Sequence, residues 1–257
     1  MGFAVSKTGI RSSGKADQAA SSSFISKLLH AHNFPQGSDA LAATVTEARK
    51  ANYYSADLRG KMPEPFDQKM RVCSYGAEFR REKCFSRGPT QQIDVFDRQG
   101  AHRLEILEGK STAPVRQLED WEFQEFKFNV LTFGILPLIK ELQSSSVDAD
   151  YLGSTGGGQE KIAVRINSAV WTIYGDEQHL IRKVEIVHRG HFIVIEYDDY
   201  RMVGDVNLPF SQRLYSNGRP RYELAFTGFN FKAAFPSGYF TRDALENERL
   251  RTVSYSQ

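Results

Sequence analysis

The strongest constraint on this chain is a change of hydrophobic period. Phe24, Leu28 and Leu29 recur at helical spacing, whereas from Tyr53 onward apolar and polar side chains alternate, as in "QQIDVFDR" (91–98) and "RYELAFTGFNFK" (221–232). A period of two marks strands with one buried and one wet face, here Ile93 and Val95 against Gln92 and Asp94. Pro- or Gly-bearing breaks fall at 63–65, 76–77, 87–89 and 99–101. Later breaks are Gly175-Asp176, Arg189-Gly190, Gly204-Asp205 and Asn217-Gly218, all hairpin chemistry. The pattern predicts about a dozen antiparallel strands. It is interrupted once: "STAPVRQLEDWEFQEFKFNVLTFGILPLIKELQSSS" (111–146) becomes densely apolar. We read one or two helices across 115–143, with Ser111 or Thr112 as cap, Pro114 in the first turn, and Pro137 ending or kinking the first part.

Composition fits a large β domain. The 257 residues suit a single β-sandwich or barrel, and 18 Phe with 11 Tyr favour strands over helices. Residues 1–22, poor in large apolar side chains, are expected to be a disordered tail, leaving one domain over 23–257. Between 23 and 50 the spacing predicts two short helices. The first stops at Pro35-Gln36-Gly37, and the second is capped by Ser38 or Asp39 with Leu41, Val45 and Ala48 on one stripe.

Several function classes lose support here. Thirty-three basic residues against 31 acidic ones, scattered along the chain, argue against a nucleic-acid surface. The longest apolar run, "FNVLTFGILPLI" (128–139), contains Gly134 and Pro137 and is shorter than the ~18–20 residues of a membrane span. The start, "MGFAVSKTGIRSSGKADQAASSS", lacks the apolar core of about 7–15 residues that a secretory signal carries. The chain is therefore expected to be either cytoplasmic or a form whose signal has been removed.

Candidate chemistry is sparse. "GSTGGGQEK" (153–161) lacks the Gly-Lys-Ser/Thr of a phosphate loop and reads as a hairpin loop. The six histidines offer no set of metal ligands at useful spacing, and no cofactor motif is present. Glu196, Asp198 and Asp199 form the one carboxylate cluster that could divide acid and base roles. Strand alternation would put Asp198 and Asp199 on opposite faces, so the simpler account is a strand end emerging into water. Cys73 and Cys84 lie on neighbouring strands. A tight turn at Gly76-Ala77 would set Cys73 opposite Arg80, out of reach of Cys84, and the sequence leaves their redox state open.

The order of elements resembles the LolA-like proteins, the superfamily of periplasmic carriers of outer-membrane lipoproteins. The resemblance is carried by "EYDDYRMVGDVNLPF" and the strands after it, through Tyr200, Val203, Gly204, Val206, Pro209 and Phe210, then Asn230, Pro236 and Phe240. "SADLRGKM", "KMRVCSY" and the Arg-rich "EFRREK" resemble the first strands. The likeness spans roughly residues 38–242 in order of elements. It implies a mainly β fold: one strongly curved, unclosed antiparallel sheet of about 10–12 strands, with helices covering its concave face. It also implies a non-enzymatic periplasmic carrier, monomeric, holding an acyl chain, an acylated protein or another hydrophobic ligand between sheet and helices. Wall candidates are Trp171, Ile173, Val184, Ile186, Phe192, Val194, Leu224 and Phe226; lid candidates are Phe126, Phe128, Leu131 and Phe133. Two alternatives stay open: an envelope sensor or protein-interaction module of the same fold, and a hydrolase using Glu196 or Asp198. The aromatic segment 115–143 exceeds what the resemblance requires.

Overall fold

The computed structural model describes residues 15–34, 42–53, 68–85, 91–107, 113–144, 147–167 and 169–254. Helix α1 (Lys15–Ala31) leads into a first meander of β1 (Ala43–Asn52), β2 (Gln68–Tyr75), β3 (Glu78–Phe85), β4 (Gln91–Asp97), β5 (Gly100–Ile106) and the short β6 (Arg116–Gln117). Helices α2 (Asp120–Leu131) and α3 (Leu136–Leu142) connect it to a second meander: β7 (Ala149–Ser154), β8 (Glu160–Ile166), β9 (Ala169–Gly175), β10 (Ile181–His188), β11 (His191–Val203), β12 (Val206–Ser216) and β13 (Arg219–Asn230). Helix α4 (Arg242–Ser254) closes the described chain.

All thirteen strands form one antiparallel sheet, ordered β6-β5-β4-β3-β2-β1-β13-β12-β11-β10-β9-β8-β7. Every neighbouring pair but one is a sequential hairpin or near-hairpin. The exception, β1 with β13, joins the first strand to the last and welds the two meanders at the centre. The edges β6 and β7 do not meet, so the sheet is an unclosed half-barrel.

Helices α1, α2 and α3 lie on the inner, concave face. Phe24 and Leu28 of α1 and Leu136, Leu138, Ile139 and Leu142 of α3 are buried with Ile162, Trp171, Ile173, Val184, Ile186 and Ile195. Phe126 and Val130 of α2 are buried with Ala48, Met70, Val72, Leu224 and Phe226. Gly175 permits the close approach of α1: a Cβ there would lie 2.9 Å from Leu28 Cδ2 and 3.2 Å from Phe24 Cζ. Among the described residues the outer face is covered by a helix at one end, where Leu245 of α4 packs on Ile93, Val95, Leu104 and Ile106. Phe240 packs beside it on Val45 and Cys73.

Four expectations need correction. The second helix predicted within 23–50 is strand β1. Its run of Thr44, Val45 and Thr46 is β-branched, and its exposed Glu47 and Arg49 alternate with buried Thr46 and Ala48 once β2 and β13 flank it. The disordered tail is shorter than 1–22, because α1 begins at Lys15 and buries Ser21; residues 1–14 lie outside those described, as do the "YYSADLRGKM" positions from 54 on. Helix α2 starts at Asp120, not near Pro114, because Glu119 and Glu122 form a capping box there. Pro137 opens α3 in its first turn instead of ending α2. Cys73 does pair opposite Arg80, and Cys84 opposite Lys69; both thiols are free.

Candidate functional site

Cross-strand pairing identifies the inner wall. Trp171 sits between Val164 and Ile186, and Ile173 between Ile162 and Val184. The row continues through Ile193 and Ile195 to Leu214, then through Gln212 and Leu224 to Phe226. Among the wall candidates, Trp171, Ile173, Val184, Ile186, Leu224 and Phe226 are buried on this face. Phe192 and Val194 are not. They pair with Val187 and Glu185 on the outer face, where Val187 is 58% and Phe192 43% exposed. Phe192-Ile193-Val194-Ile195 is apolar on both faces and carries no phase of its own. The turn Arg189-Gly190, with φ of 49° and 77°, sets the phase by placing His188 opposite His191.

The lid candidates divide into two pairs. Phe126 and Phe133 are buried with Leu224 and Phe226. Phe128 and Leu131 are half-buried at the other side of α2, against the cluster that holds Trp171. The Phe128 ring stacks on His188, with centroids 4.4 Å apart and planes at 11°, and meets Trp171 at 6.4 Å. Helix side chains thus occupy the concavity. A space of about 40 Å³ beside Phe128 and Trp171 suits a water-sized group, not an acyl chain.

Two polar devices hold α2, and neither was among the sequence candidates. At its C-terminal end the buried Gln212 grips the linker to α3: its Oε1 accepts from the Gly134 N–H at 2.9 Å and its Nε2 donates to the Thr132 carbonyl at 2.8 Å. Gly134 is needed there, because its φ is +78° and a Cβ would sit 3.3 Å from the Phe226 ring. At its N-terminal end Glu122 accepts from both Arg116 guanidinium nitrogens at 2.6 Å and from Arg103 at 3.2 Å. Arg103 also reaches Asp94 at 2.6 Å, and Arg81 binds Asp94 through Nη2 at 2.6 Å and Nε at 3.1 Å.

Asp94 is 0% exposed, although alternation with Ile93 and Val95 marks its face as wet. The reason is α2, which covers the inner face while α4 covers the outer one, so both faces of β4 are buried. The legible signal is Arg81 and Arg103, which the registers set directly opposite Asp94 on both neighbouring strands. Burial favours a neutral Asp94 carboxyl, but the two guanidiniums outweigh it and hold the group below its ordinary range. Two amines border the same face with depressed basicity. Burial and then Arg81 push Lys83 down to about 7. Burial pushes Lys140 down to about 8, and its Nζ donates to Ser74 Oγ at 3.0 Å.

The carboxylate cluster lies on the outer side. Glu196 and Asp198 line an open cleft of about 570 Å³ with Arg182, Lys183, Ser211 and Arg213. Asp199 does not take the opposite face from Asp198 as alternation implies. Its φ is +55°, and the resulting break leaves both aspartates exposed while Tyr197 and Tyr200 both pack into the core. Asp198 lies 3.8 Å from Arg182 and Asp199 2.5 Å from Arg201. Neither Glu196 nor Asp198 has the burial that separates an acid from a base. Tyr200 of the same stretch is structural: its hydroxyl donates to the Ile181 carbonyl, and its ring packs on buried His32.

This architecture is similar to two known crystal structures. A DUF1329 family protein from Desulfovibrio piger superposes with a TM-score of 0.55 at 10% identity, covering 87% of this chain and 98% of that one. A LolA superfamily protein from Nitrosomonas europaea superposes with a TM-score of 0.53 at 9% identity, covering 86% and 98%. No protein-family model and no curated protein matches the sequence. At these identities the likeness is one of fold, and the chain has a LolA-like half-barrel fold.

Proposed function

We propose that the protein is a non-enzymatic carrier that takes an acyl chain, an acylated protein or a comparable apolar ligand against the inner face of its half-barrel, in the periplasm and as a monomer. One observation carries this reading: a largely apolar floor running from Trp171 past Gln212 to Phe226 lies beneath a helix, α2, that is less embedded than the α3 that follows it. Only Phe126 and Val130 of α2 are buried, against Leu136, Leu138, Ile139 and Leu142 in the much shorter α3. With its C-terminal linker clamped by Gln212, α2 is built to swing about Thr132–Gly134 while α1 and α3 stay in place. The occupied concavity is then the closed state. Ligand must displace Phe128 and Leu131, and its apparent affinity is reduced by the closed fraction. Burying apolar surface at about 25 cal/mol per Å² provides the driving force and requires no catalytic group.

Native mass spectrometry of protein purified from its host, followed by organic extraction, tests the cargo; a fluorescent fatty acid tests the lid. Phe128→Ala removes two aromatic contacts worth about 0.5–1.5 kcal/mol each, so uptake should strengthen by about fivefold or more. Unchanged uptake rules the lid out, and protein that carries no lipid and takes up no fatty acid rules out the carrier.

A second reading, a protein-interaction module, is favoured by the exposed Val187–Phe192 pair on the outer face. It predicts that Phe192→Ser abolishes partner capture and leaves fatty-acid uptake unchanged.

A further inference from the structure

Among the described residues four buried side-chain nitrogens lack a hydrogen-bond partner: Arg71 Nε, His102 Nδ1, His179 Nδ1 and Trp171 Nε1. Arg71 Nε lies 3.4 Å from a Glu47 carboxylate oxygen and His179 Nδ1 3.2 Å from one of Glu160, so each has a carboxylate oxygen beside it. His102 belongs to the outer face, where its strand neighbours Leu104 and Ile106 pack under α4. Trp171 is different. It is 2% exposed, it stands in the floor of the inner face, and its indole N–H has no acceptor beside it.

A buried donor without an acceptor is costly, and a phenylalanine would fill the same wall without that cost. The indole also lines the small space beneath the part of α2 that is least embedded. That space is bounded by Phe128 and Leu131 of the lid, Ile166 of β8, and His188, and the polar side chains of Gln124, Lys127 and Asn167 also line it. A ligand entering here meets the indole N–H, the one of these groups left buried without a partner, in a wall shared with Phe128, Leu131 and Ile166, and meets Gln124, Lys127, Asn167 and His188 around it. That combination fits a molecule with a long apolar chain ending in an acceptor oxygen.

We propose that the Trp171 indole N–H donates to the carbonyl oxygen of an acyl ligand, free acid or ester, when α2 lifts away from Ile166 of β8 and Ala169 of β9. This rests on the reading of the inner face as the ligand site and adds which chemical group that face recognises. Lys127 at the rim would favour the free acid over the ester without being required for either.

The protein has two tryptophans, so ¹⁵N-tryptophan labelling yields two indole signals, and Trp121→Phe assigns them. Trp121 is a clean reference because its Nε1 already donates to Glu119 at 2.8 Å on the surface. Laurate, methyl laurate and dodecane are titrated separately against a bound naphthylamine probe whose fluorescence reports displacement. Laurate and methyl laurate should each displace the probe and move the Trp171 indole proton downfield, while dodecane leaves that proton near its ligand-free position. Trp171→Phe should weaken laurate and methyl laurate about tenfold and leave dodecane unchanged. Displacement by laurate without an indole shift overturns the proposal and leaves the carrier standing. An equal shift with dodecane overturns it too, as would equal losses for all three compounds in Trp171→Phe. A protein that binds neither the probe nor any of the three compounds overturns the carrier reading and this proposal together. A greater affinity for laurate than for its ester identifies the free acid as the preferred source of the carbonyl.

Discussion

Replacing Asp94 with Asn tests how α2, the proposed lid, is anchored. The carboxylate is fully buried and accepts from Arg81 Nη2 and Arg103 Nε, each at 2.6 Å, with Gln92 Nε2 at 3.0 Å. Arg81 is itself buried, and its guanidinium lies over the Phe126 ring at 4.9 Å. Asparagine keeps the shape, removes the charge, and points an amide N–H group at donors. Breaking one side of such a buried pair costs about 3–5 kcal/mol, because the remaining cation has no compensation. With a urea slope of about 2–3 kcal/mol per M, the unfolding midpoint should fall by about 1–2.5 M. Joint replacement, Asp94→Leu with Arg81→Met, should restore much of the loss, since an apolar pair of similar volume replaces the buried charges. Asp94 also has a pH signature. Its folded pKa lies below the unfolded value, so its stabilisation is complete above about pH 4 and is lost as pH falls through the folded pKa. Asp94→Asn should flatten that acid limb. Because Arg103 bridges Asp94 to Glu122 of α2, the variant should also take up fluorescent fatty acid more readily at neutral pH. A midpoint shift worth less than about 1 kcal/mol, the value of an exposed pair, would refute the claim that this network is buried and holds the lid.

Gln212→Ala should cost about 2–5 kcal/mol, since it strands the Gly134 N–H and the Thr132 carbonyl in a buried linker; equilibrium unfolding measures it, and a loss under about 1 kcal/mol contradicts the clamp. His32 is buried, with Nδ1 donating to the Asn207 carbonyl at 2.9 Å and Nε2 accepting from the Ile181 N–H at 3.2 Å. Burial lowers its pKa to about 4. The unfolded state therefore takes the proton first, and stability should fall by roughly 3 kcal/mol as pH drops from about 6.5 to 4. His32→Gln should remove that slope and leave the more acidic limb of Asp94, a separation that unfolding midpoints across pH resolve.

How much of this was legible depended on where each signal resides. The strands of the second meander were readable because turn chemistry is local: Arg189-Gly190, Gly204-Asp205 and Asn217-Gly218 mark their own hairpins whatever lies beyond them. The same locality explains the Cys73–Arg80 register. Val45 and Ala48 were misassigned because their spacing satisfies a helix stripe, and only the pairing of β1 with both β2 and β13 rewards the extended form. Phe126 and Phe128 stood out in the sequence through aromatic density, whereas Gln212 and Asp94 did not. A lone polar residue in a strand looks the same whether water or a helix will cover it. Helix α4 escaped notice because its sequence, "RDALENERLRTVS", buries little beyond Leu245 and carries almost no apolar stripe.

The sequence alone determined that this chain forms a long antiparallel sheet with one helical interruption, since alternation and turn residues act over a few positions. Six of the eight apolar residues it singled out for the wall lie on the inner face. Tertiary structure decided the closure of β1 on β13, the burial of Asp94 between two helices, and the phase of β11. That last decision moved Phe192 and Val194 outward and Ile193 and Ile195 inward. In a strand apolar on both faces, composition is blind to a shift of one residue, whereas cross-strand hydrogen bonding from a single turn commits every side chain beyond it.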